Sequence, residues 1–171
     1  FRTTALNLPS LRLEGSLFLP DILEKAALGQ GRLQTEADYG MPKGIKLKDD
    51  YSRAFQIACA QWKHFAAQFE RADVDIAALT LTFVQELLHD AFGYNDLRLC
   101  SEITQGDRRY PVHLVTGSVP VIVAPHTLAL HEPSPLFAVA GSGVRKKSAF
   151  MLMQELLNAS PNHLWGIACN G

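Results

Sequence analysis

Short clusters of basic side chains are the feature of this sequence that most clearly indicates a chemical function. They comprise Arg108 and Arg109, the run Arg145, Lys146 and Lys147 with Ser148 directly behind it, and a looser group of Lys43, Lys46 and Lys48. Arginine and lysine neutralise backbone phosphates with little regard to base identity, so such clusters are expected where a protein contacts duplex DNA. The alternative is that each cluster is a solvated run of charge in a surface loop.

The basic run at 145–147 has the most specific setting. Ser148 is a favoured N-cap residue in front of a predicted helix, and the first amide groups of a helix bind anions. Gly141, Ser142 and Gly143 precede the run and let the backbone approach a ligand closely. The pattern therefore predicts a phosphate cradle at the start of this helix, with the solvated loop as the open alternative.

Nucleophilic and metal-ligating residues are scattered along the chain. The candidates are three widely separated cysteines and three histidines near predicted strand ends: Cys59, Cys100, Cys169, His113, His126 and His131. Their spacing indicates packed thiols in a reducing, cytoplasmic setting and hydrogen-bonded structural imidazoles. No Ser-His-Asp spacing, glycine-rich nucleotide loop or metal cluster is visible in the sequence.

Length and composition set the frame for these residues. The chain has 171 residues, of which 47% are hydrophobic and 19% charged, with 16 Lys and Arg against 17 Asp and Glu. These values predict a single soluble domain over 1–171 and exclude a disordered, collagenous or coiled-coil protein. The net charge of -1 excludes a uniformly basic polyanion binder, although it permits a local basic surface. No apolar run approaches the ~20 residues that a bilayer requires, so no membrane partner is expected.

Hydrophobic periodicity divides the chain into three parts. Residues 1–49 are an opening segment and loop, with an extended stretch at 11–19 and a short helix at about 20–28; residues 50–92 form two helices, at about 50–71 and 76–92. Residues 93–171 form a sheet with one helix: strands at 97–103, 110–116, 119–124 and 164–169, a further strand or extended edge at 127–131, and a helix at 149–158. The predicted fold is α+β, a helical first part followed by a mixed sheet in the order α-β-β-β-α-β.

An aromatic stripe runs along the first long helix. Its members follow each other at steps of three and four residues: Tyr51, Phe55, Ala58, Trp62, Phe65 and Phe69. Such a stripe could stack bases or line a ligand site, but large aromatic side chains at helical spacing are far more often core residues. We expect this face to be buried.

The two ends of the sequence predict a piece of a longer protein. The chain starts at Phe1 without Met and stops at Asn170 and Gly171, directly behind an apolar run. Asn-Gly after a strand predicts a hairpin turn, and a hairpin requires a returning strand. We therefore expect further chain, with chemistry of its own, downstream.

The closing segments of the chain carry a resemblance to a known family. The helix LMQELLNAS at 152–160 and the strand LWGIACNG at 164–171 resemble the end of the nuclease-like N-terminal domain of large fused type II restriction-modification adenine-specific DNA methyltransferases. The R subunits of type I restriction enzymes have a similar segment. The stretches LEGSLFLPD at 13–21 and ADYGMPKG at 37–44 look like the opening of the same domain. The likeness spans about 11–171.

This resemblance implies a PD-(D/E)xK nuclease-like core at the front of a methyltransferase that acts in host defence. The methyltransferase motifs do not occur in the chain, so S-adenosylmethionine belongs to the parent's downstream domain and this part is expected not to methylate DNA. Implied partners are duplex DNA and that methyltransferase domain.

The nuclease centre that the family implies is degenerate in this sequence. The chemistry requires an Asp on the second core strand and Glu-x-Lys on the third, which hold Mg²⁺ and activate water. Here the second strand reads YPVHLV and the third VPVIVA, with neither an acid nor a lysine. Nearby acids are Glu86, Asp96 and Asp107, and the weak catalytic candidates, if the strands are registered differently, are Glu102 and Glu132. We predict no metal or catalytic residue, with Mg²⁺ required only if the centre is active.

Four functions follow in order of expectation. A DNA-interacting accessory domain comes first, contacting DNA through Arg108, Arg109, Arg145, Lys146, Lys147 and Ser148. A protein-protein scaffold of the same system is second, and a large exposed apolar patch would favour it. An active Mg²⁺-dependent endonuclease is third, and an unrelated small-molecule enzyme is last.

Overall fold

The structure, a computed structural model, describes residues 19–171. Two compact units divide the chain between Ser52 and Arg53. The extended stretch predicted at 11–19 lies outside the described residues except for Leu19, as does most of the resemblance at 13–21. The prediction of one domain over 1–171 stays a prediction, and each unit is described separately below.

In its described part, from residue 19 onward, the first unit contains a short helix, a loop and the start of a second helix. Helix α1 spans Pro20–Ala27, and Gly29 follows it with a left-handed φ of 68°, so the helix and its glycine stop are confirmed. In the loop, the carboxylate of Asp38 accepts hydrogen bonds from the backbone amide and the hydroxyl of Thr35, which closes a local turn. Helix α2, Leu47–Ala66, begins in this unit with Asp49 and Asp50 in its first turn, where acidic side chains favour the helix dipole.

Helix α2 continues into the second unit and is followed by helix α3, Ile76–Glu86. The predicted N-cap is confirmed, because the carboxylate of Asp75 accepts hydrogen bonds from the amides of Ala77 and Ala78. A single π-helical turn, Leu87–Ala91, extends α3 to the predicted stop at Gly93, whose φ is 74°. Helix α2 ends five residues earlier than predicted, since the amides at 68 and 69 bond to carbonyls three residues back and tighten the chain into turns.

The aromatic stripe of α2 is buried only toward its carboxyl end. Phe65 is buried and its ring stacks on Phe83 of α3 with 4.3 Å between ring centroids. Tyr51, Phe55 and Trp62 are exposed, so the prediction of a continuous core face is wrong for them. Phe65 is also the one residue of α2 among the buried residues of the core that α3 and the sheet form. Only this end of the aromatic stripe therefore contributes to the core.

The sheet of the second unit starts with one long hairpin. Strands β1, Arg98–Leu99, and β2, Glu102–Gln105, run antiparallel to β4, Leu114–Thr116, and β3, Arg108–Pro111. Between the two ladders the register is unbroken, because the amide of Cys100 bonds to the carbonyl of His113 and the amide of Val112 to that of Ser101. Each predicted strand at 97–103 and 110–116 is therefore one arm of the hairpin, interrupted at its middle.

Strand β5, Val119–Val123, lies at the centre of the fold. It pairs antiparallel with β4 and parallel with β6, Ile167–Cys169, giving a mixed sheet of order β1-β4-β5-β6. Helix α4, Ala149–Ala159, makes the crossover from β5 to β6. Helices with this mixed sheet confirm the α+β class. Ile122 faces a core with Leu152 and Leu156 of α4, whereas Val121 and Val123 face the core of α2 and α3, so β5 is buried on both sides as predicted.

The segment between β5 and α4 corrects one prediction and shows how the basic run is held. Residues 127–131 form turns, with Leu128 bonded to Pro125 and Glu132 to Ala129, so no strand or edge forms there. A 3-10 turn, Pro135–Phe137, follows. We call residues 138–147 the strap: Ala140 exchanges two backbone hydrogen bonds with Arg109 of β3, and Lys147 exchanges two with Ser134.

The strap approaches β3 so closely that one glycine is required. Gly141 has a φ of 89°, and a Cβ there would lie 2.6 Å from the carbonyl oxygen of Asp107. Gly143 has a comparable φ of 72° but open space around it, so it is a matched control.

We expect Gly143→Ala to lower the free energy of unfolding by about 1–2 kcal/mol, because alanine is strained in the left-handed backbone conformation even where its methyl group has space. Gly141→Ala should cost roughly 1–3 kcal/mol more, because its methyl group overlaps main chain that cannot move aside. Urea unfolding of both variants measures the difference. Equal midpoints would show that the strap is not held against β3.

Candidate nucleic-acid interface

Two of the basic clusters meet at a single carboxylate. Glu155 of α4 accepts a hydrogen bond from Arg108 Nη1 at 2.9 Å through its Oε1 atom and binds Lys147 Nζ through its Oε2 atom. The exposed fractions of the side chains are 50% for Arg108, 26% for Glu155 and 8% for Lys147. The cluster therefore holds two cations and one anion, with the uncompensated charge on its exposed side.

Local structure explains why these three side chains converge. Arg108 and Tyr110 share one face of β3, since alternate strand residues point the same way, and Tyr110 is buried in the core that α4 covers. Glu155 lies between the buried residues Leu152 and Leu156 of α4. The strap delivers Lys147 beside them through its backbone pairing with Ser134.

Burial changes the chemistry of the lysine. Loss of solvent, and secondarily the charge of Arg108, lowers the pKa of Lys147 from its ordinary value. The Glu155 carboxylate is therefore the partner that allows an ammonium group in this enclosed position, because an unpaired charge there would be strongly destabilising.

Several amides at the start of α4 are hydrogen-bonded within the protein itself. Ser148 is 1% exposed, and its hydroxyl accepts a hydrogen bond from the amide of Met151, which confirms the predicted N-cap. The amide of Phe150 bonds to the carbonyl of Leu130. Lys147 and Ser148 are thus engaged internally and do not fit the phosphate contacts predicted for them.

The exposed cations around this cluster form the candidate interface. Arg108 is half-exposed, and Arg145 and Lys146 directly precede Lys147 and are exposed; we call these three the basic surface. Arg109 is also exposed, but its side chain projects from the opposite face of β3. No acidic residue occurs between Glu132 and Glu155, so the strap has only positive charges. The third group lies apart in sequence, and its Lys46 pairs with Glu36 at 3.6 Å.

Within the described residues, neither acidic candidate for catalysis takes part in the ion pairs at Glu155, whereas Asp107 directly precedes Arg108 and is exposed. Glu102 lies exposed on β2 opposite Pro111, and Glu132 lies exposed at the end of a turn. Asp96 has a structural role: its carboxylate accepts hydrogen bonds from Thr116 and from the amide of Gly117, and these bonds lower its pKa. Within residues 19–171, no group of three or more His, Cys, Asp or Glu side chains is placed to hold a metal ion.

The isolated imidazoles and thiols have packing roles. His113 Nδ1 accepts a hydrogen bond from the amide of Val123 at 3.0 Å, and burial lowers the pKa of its imidazole. The His126 ring stacks on Phe69 with 4.0 Å between centroids. All three cysteines are free and partly buried, and burial raises the pKa of Cys169 to about 11, which keeps its thiol protonated.

Comparison of the chain with protein-family models, with curated proteins and with solved structures gives no match. No helix in the described part is long and apolar enough to cross a membrane. The residue that sequence reasoning missed is Glu155. The sequence pattern that could have indicated Glu155 is its isolation. It is the first acidic residue after a long stretch whose only charges are positive, and it lies on the helix that the basic run precedes.

Burial of the His113 imidazole, which lowers its pKa, makes a pH-dependent contribution to stability. Because its pKa is lowered in the folded state, the folded protein binds fewer protons than the unfolded chain. The free energy of unfolding is then highest above the usual histidine pKa of ~6.5 and falls as the pH drops below it, until the lowered pKa is reached.

We expect His113→Asn to reduce this loss, because the Asn side-chain oxygen accepts the same hydrogen bond but does not titrate. Urea unfolding at about pH 7.5 and about pH 5.5 measures the loss in both proteins. An equal loss in wild type and variant would remove His113 as its source.

Proposed function

We propose that this chain is a DNA-contacting accessory domain of a restriction-modification DNA methyltransferase, with a nuclease-like fold and a degenerate catalytic centre. The observation that carries the DNA contact is the convergence of Arg108 with the strap at Glu155. It brings two clusters that are distant in sequence to one place and leaves Arg108, Arg145 and Lys146 exposed there.

The exposed guanidinium and ammonium groups of the basic surface are suited to binding phosphate. Arg108 uses Nη1 on Glu155, and no other hydrogen bond of its guanidinium is found within the described chain, so its remaining donors are available to an anion. Lysine and arginine on an acid-free loop contribute charge without base contacts. The interface is therefore expected to bind duplex DNA with little sequence preference.

The order of the elements supports the nuclease-like part of the proposal. Helix α3 is followed by the antiparallel strands of the main sheet, and α4 then crosses to the parallel strand β6. This is the α-β-β-β-α-β order of the family that the sequence resembles. Strands β4 and β5 consist of LVT and VPVIV, without the acids and lysine that hydrolysis needs.

An apolar groove favours the second candidate, a scaffold that docks onto the methyltransferase domain of the same parent. The groove has a volume of 410 Å³, and its lining includes Trp62, Phe83, Leu87 and Phe92. Trp62 is 42% and Phe92 63% exposed, so an aromatic surface is open to a protein partner.

Duplex DNA titrations at about 50 mM and about 200 mM salt test the proposal. We expect salt-sensitive binding, and the double variant Arg145→Ala with Lys146→Ala should weaken it and reduce the salt slope by about 2, since each lost phosphate contact removes about 0.9. The matched control is Lys63→Ala with Arg98→Ala, which removes the same charge from exposed positions outside the basic surface.

Two results would contradict the proposal. Equal losses in the test and control variants would show that only net charge matters, and an absence of binding would favour the scaffold. Product analysis with Mg²⁺ in the same samples covers the third function: cleavage that disappears in Glu102→Ala or Glu132→Ala would show an active nuclease centre.

A further inference from the structure

We infer that Arg108 is a phosphate-binding residue of the basic surface and that buried Lys147 keeps it available by neutralising Glu155 from behind. This inference rests on the proposed DNA contact and assigns its central residue. Lys147 is a positioning residue in this scheme, because it acts on the ligand only through Glu155 and Arg108.

The argument starts from the charges of the cluster. Arg108 and Lys147 together contribute two positive charges, and Glu155 contributes one negative charge that they share through different oxygen atoms. One positive charge is left over. Without Lys147, the same carboxylate would compensate Arg108 alone and leave no net charge for an external anion.

Exposure decides which cation presents the remaining charge. The Lys147 side chain is 8% exposed and the Arg108 side chain 50% exposed. An anion from solution can therefore reach Arg108 and not Lys147. A single phosphate group matches this arrangement, because the planar guanidinium has several donors that Glu155 does not use and arginine binds phosphate oxygens in pairs.

Geometry also restrains Arg108 before a ligand arrives. Glu155 is 26% exposed on α4, and its second oxygen is tied to Lys147, so the carboxylate that anchors Nη1 is itself held in place. A pre-oriented guanidinium loses less conformational entropy on binding than a free arginine. The buried Lys147–Glu155 ion pair thus balances the charge beside Arg108 and restrains its guanidinium, although Lys147 itself does not reach the ligand.

The test is a set of variants assayed for duplex DNA binding and its salt dependence. Lys147→Met removes the buried charge with a side chain of similar length, and we expect about threefold to tenfold weaker binding with a salt slope lower by about 0.9. Adding Glu155→Gln to Lys147→Met should restore both values, since Arg108 is then uncompensated again. Because Lys147 is replaced in both variants, neither contains a buried ammonium group without a partner. Thermal melts check that each variant is folded.

Two controls separate this effect from net charge. Lys146→Met removes an exposed cation next to Lys147 and leaves the Lys147–Glu155 pair intact, so adding Arg108→Ala should weaken its binding as much as it weakens wild-type binding. In Lys147→Met, where Glu155 compensates Arg108, adding Arg108→Ala should have little further effect. Adding Arg108→Ala to the restored double variant should abolish the recovery, because the recovery depends on the guanidinium.

Each outcome decides the inference. Wild-type affinity in Lys147→Met, an equal further loss on adding Arg108→Ala to Lys147→Met and to Lys146→Met, or a recovery that persists with Arg108→Ala would each overturn it while the DNA-contact proposal stands. An absence of salt-sensitive DNA binding by the wild-type chain would overturn both.

Discussion

The fold around α4 depends on compensation of one buried charge. Lys147 Nζ lies in a side chain that is 8% exposed, and a lone ammonium group in such a place would be driven to lose its proton or to unfold its surroundings. Glu155 satisfies it from two turns into α4. Because Lys147 belongs to the strap and Arg108 to β3, the two ion pairs of Glu155 tie together three segments that no continuous strand or helix joins.

The backbone around the pair allows little adjustment. Lys147 exchanges hydrogen bonds with Ser134, Ser148 caps α4 one residue later, and Gly141 packs on the main chain of Asp107. These contacts fix the backbone of Lys147, so its side chain starts from a defined position beside Glu155. Since the same contacts fix the origin of Arg145 and Lys146, the structural ion pair and the exposed cations form one unit, in which a change in the buried part affects what the surface presents.

The elements that local sequence determines were predictable, and the contacts between distant segments were not. Asp75 and Ser148 act as N-caps, Gly29 and Gly93 follow their helices, and β5 is buried on both faces, because capping, glycine and alternation rules act over a few residues. The same rules place Lys147 in an exposed basic run. Its burial follows from a tertiary partner, which no local pattern specifies, and the partly exposed stripe on α2 fails as a core prediction for the same reason.

The proposed DNA contact is expected to have little sequence specificity, for a structural reason. Sequence is distinguished by paired hydrogen bonds to base edges in the major groove, which require several side chains on one inserted element. The basic surface has one anchored arginine on a short strand and two cations on an irregular strap. In the proposed contact, such an arrangement binds phosphate groups and makes no base-specific hydrogen bonds. The proposed accessory role requires affinity and orientation without base recognition, and an anchored arginine beside two exposed cations is suited to that role.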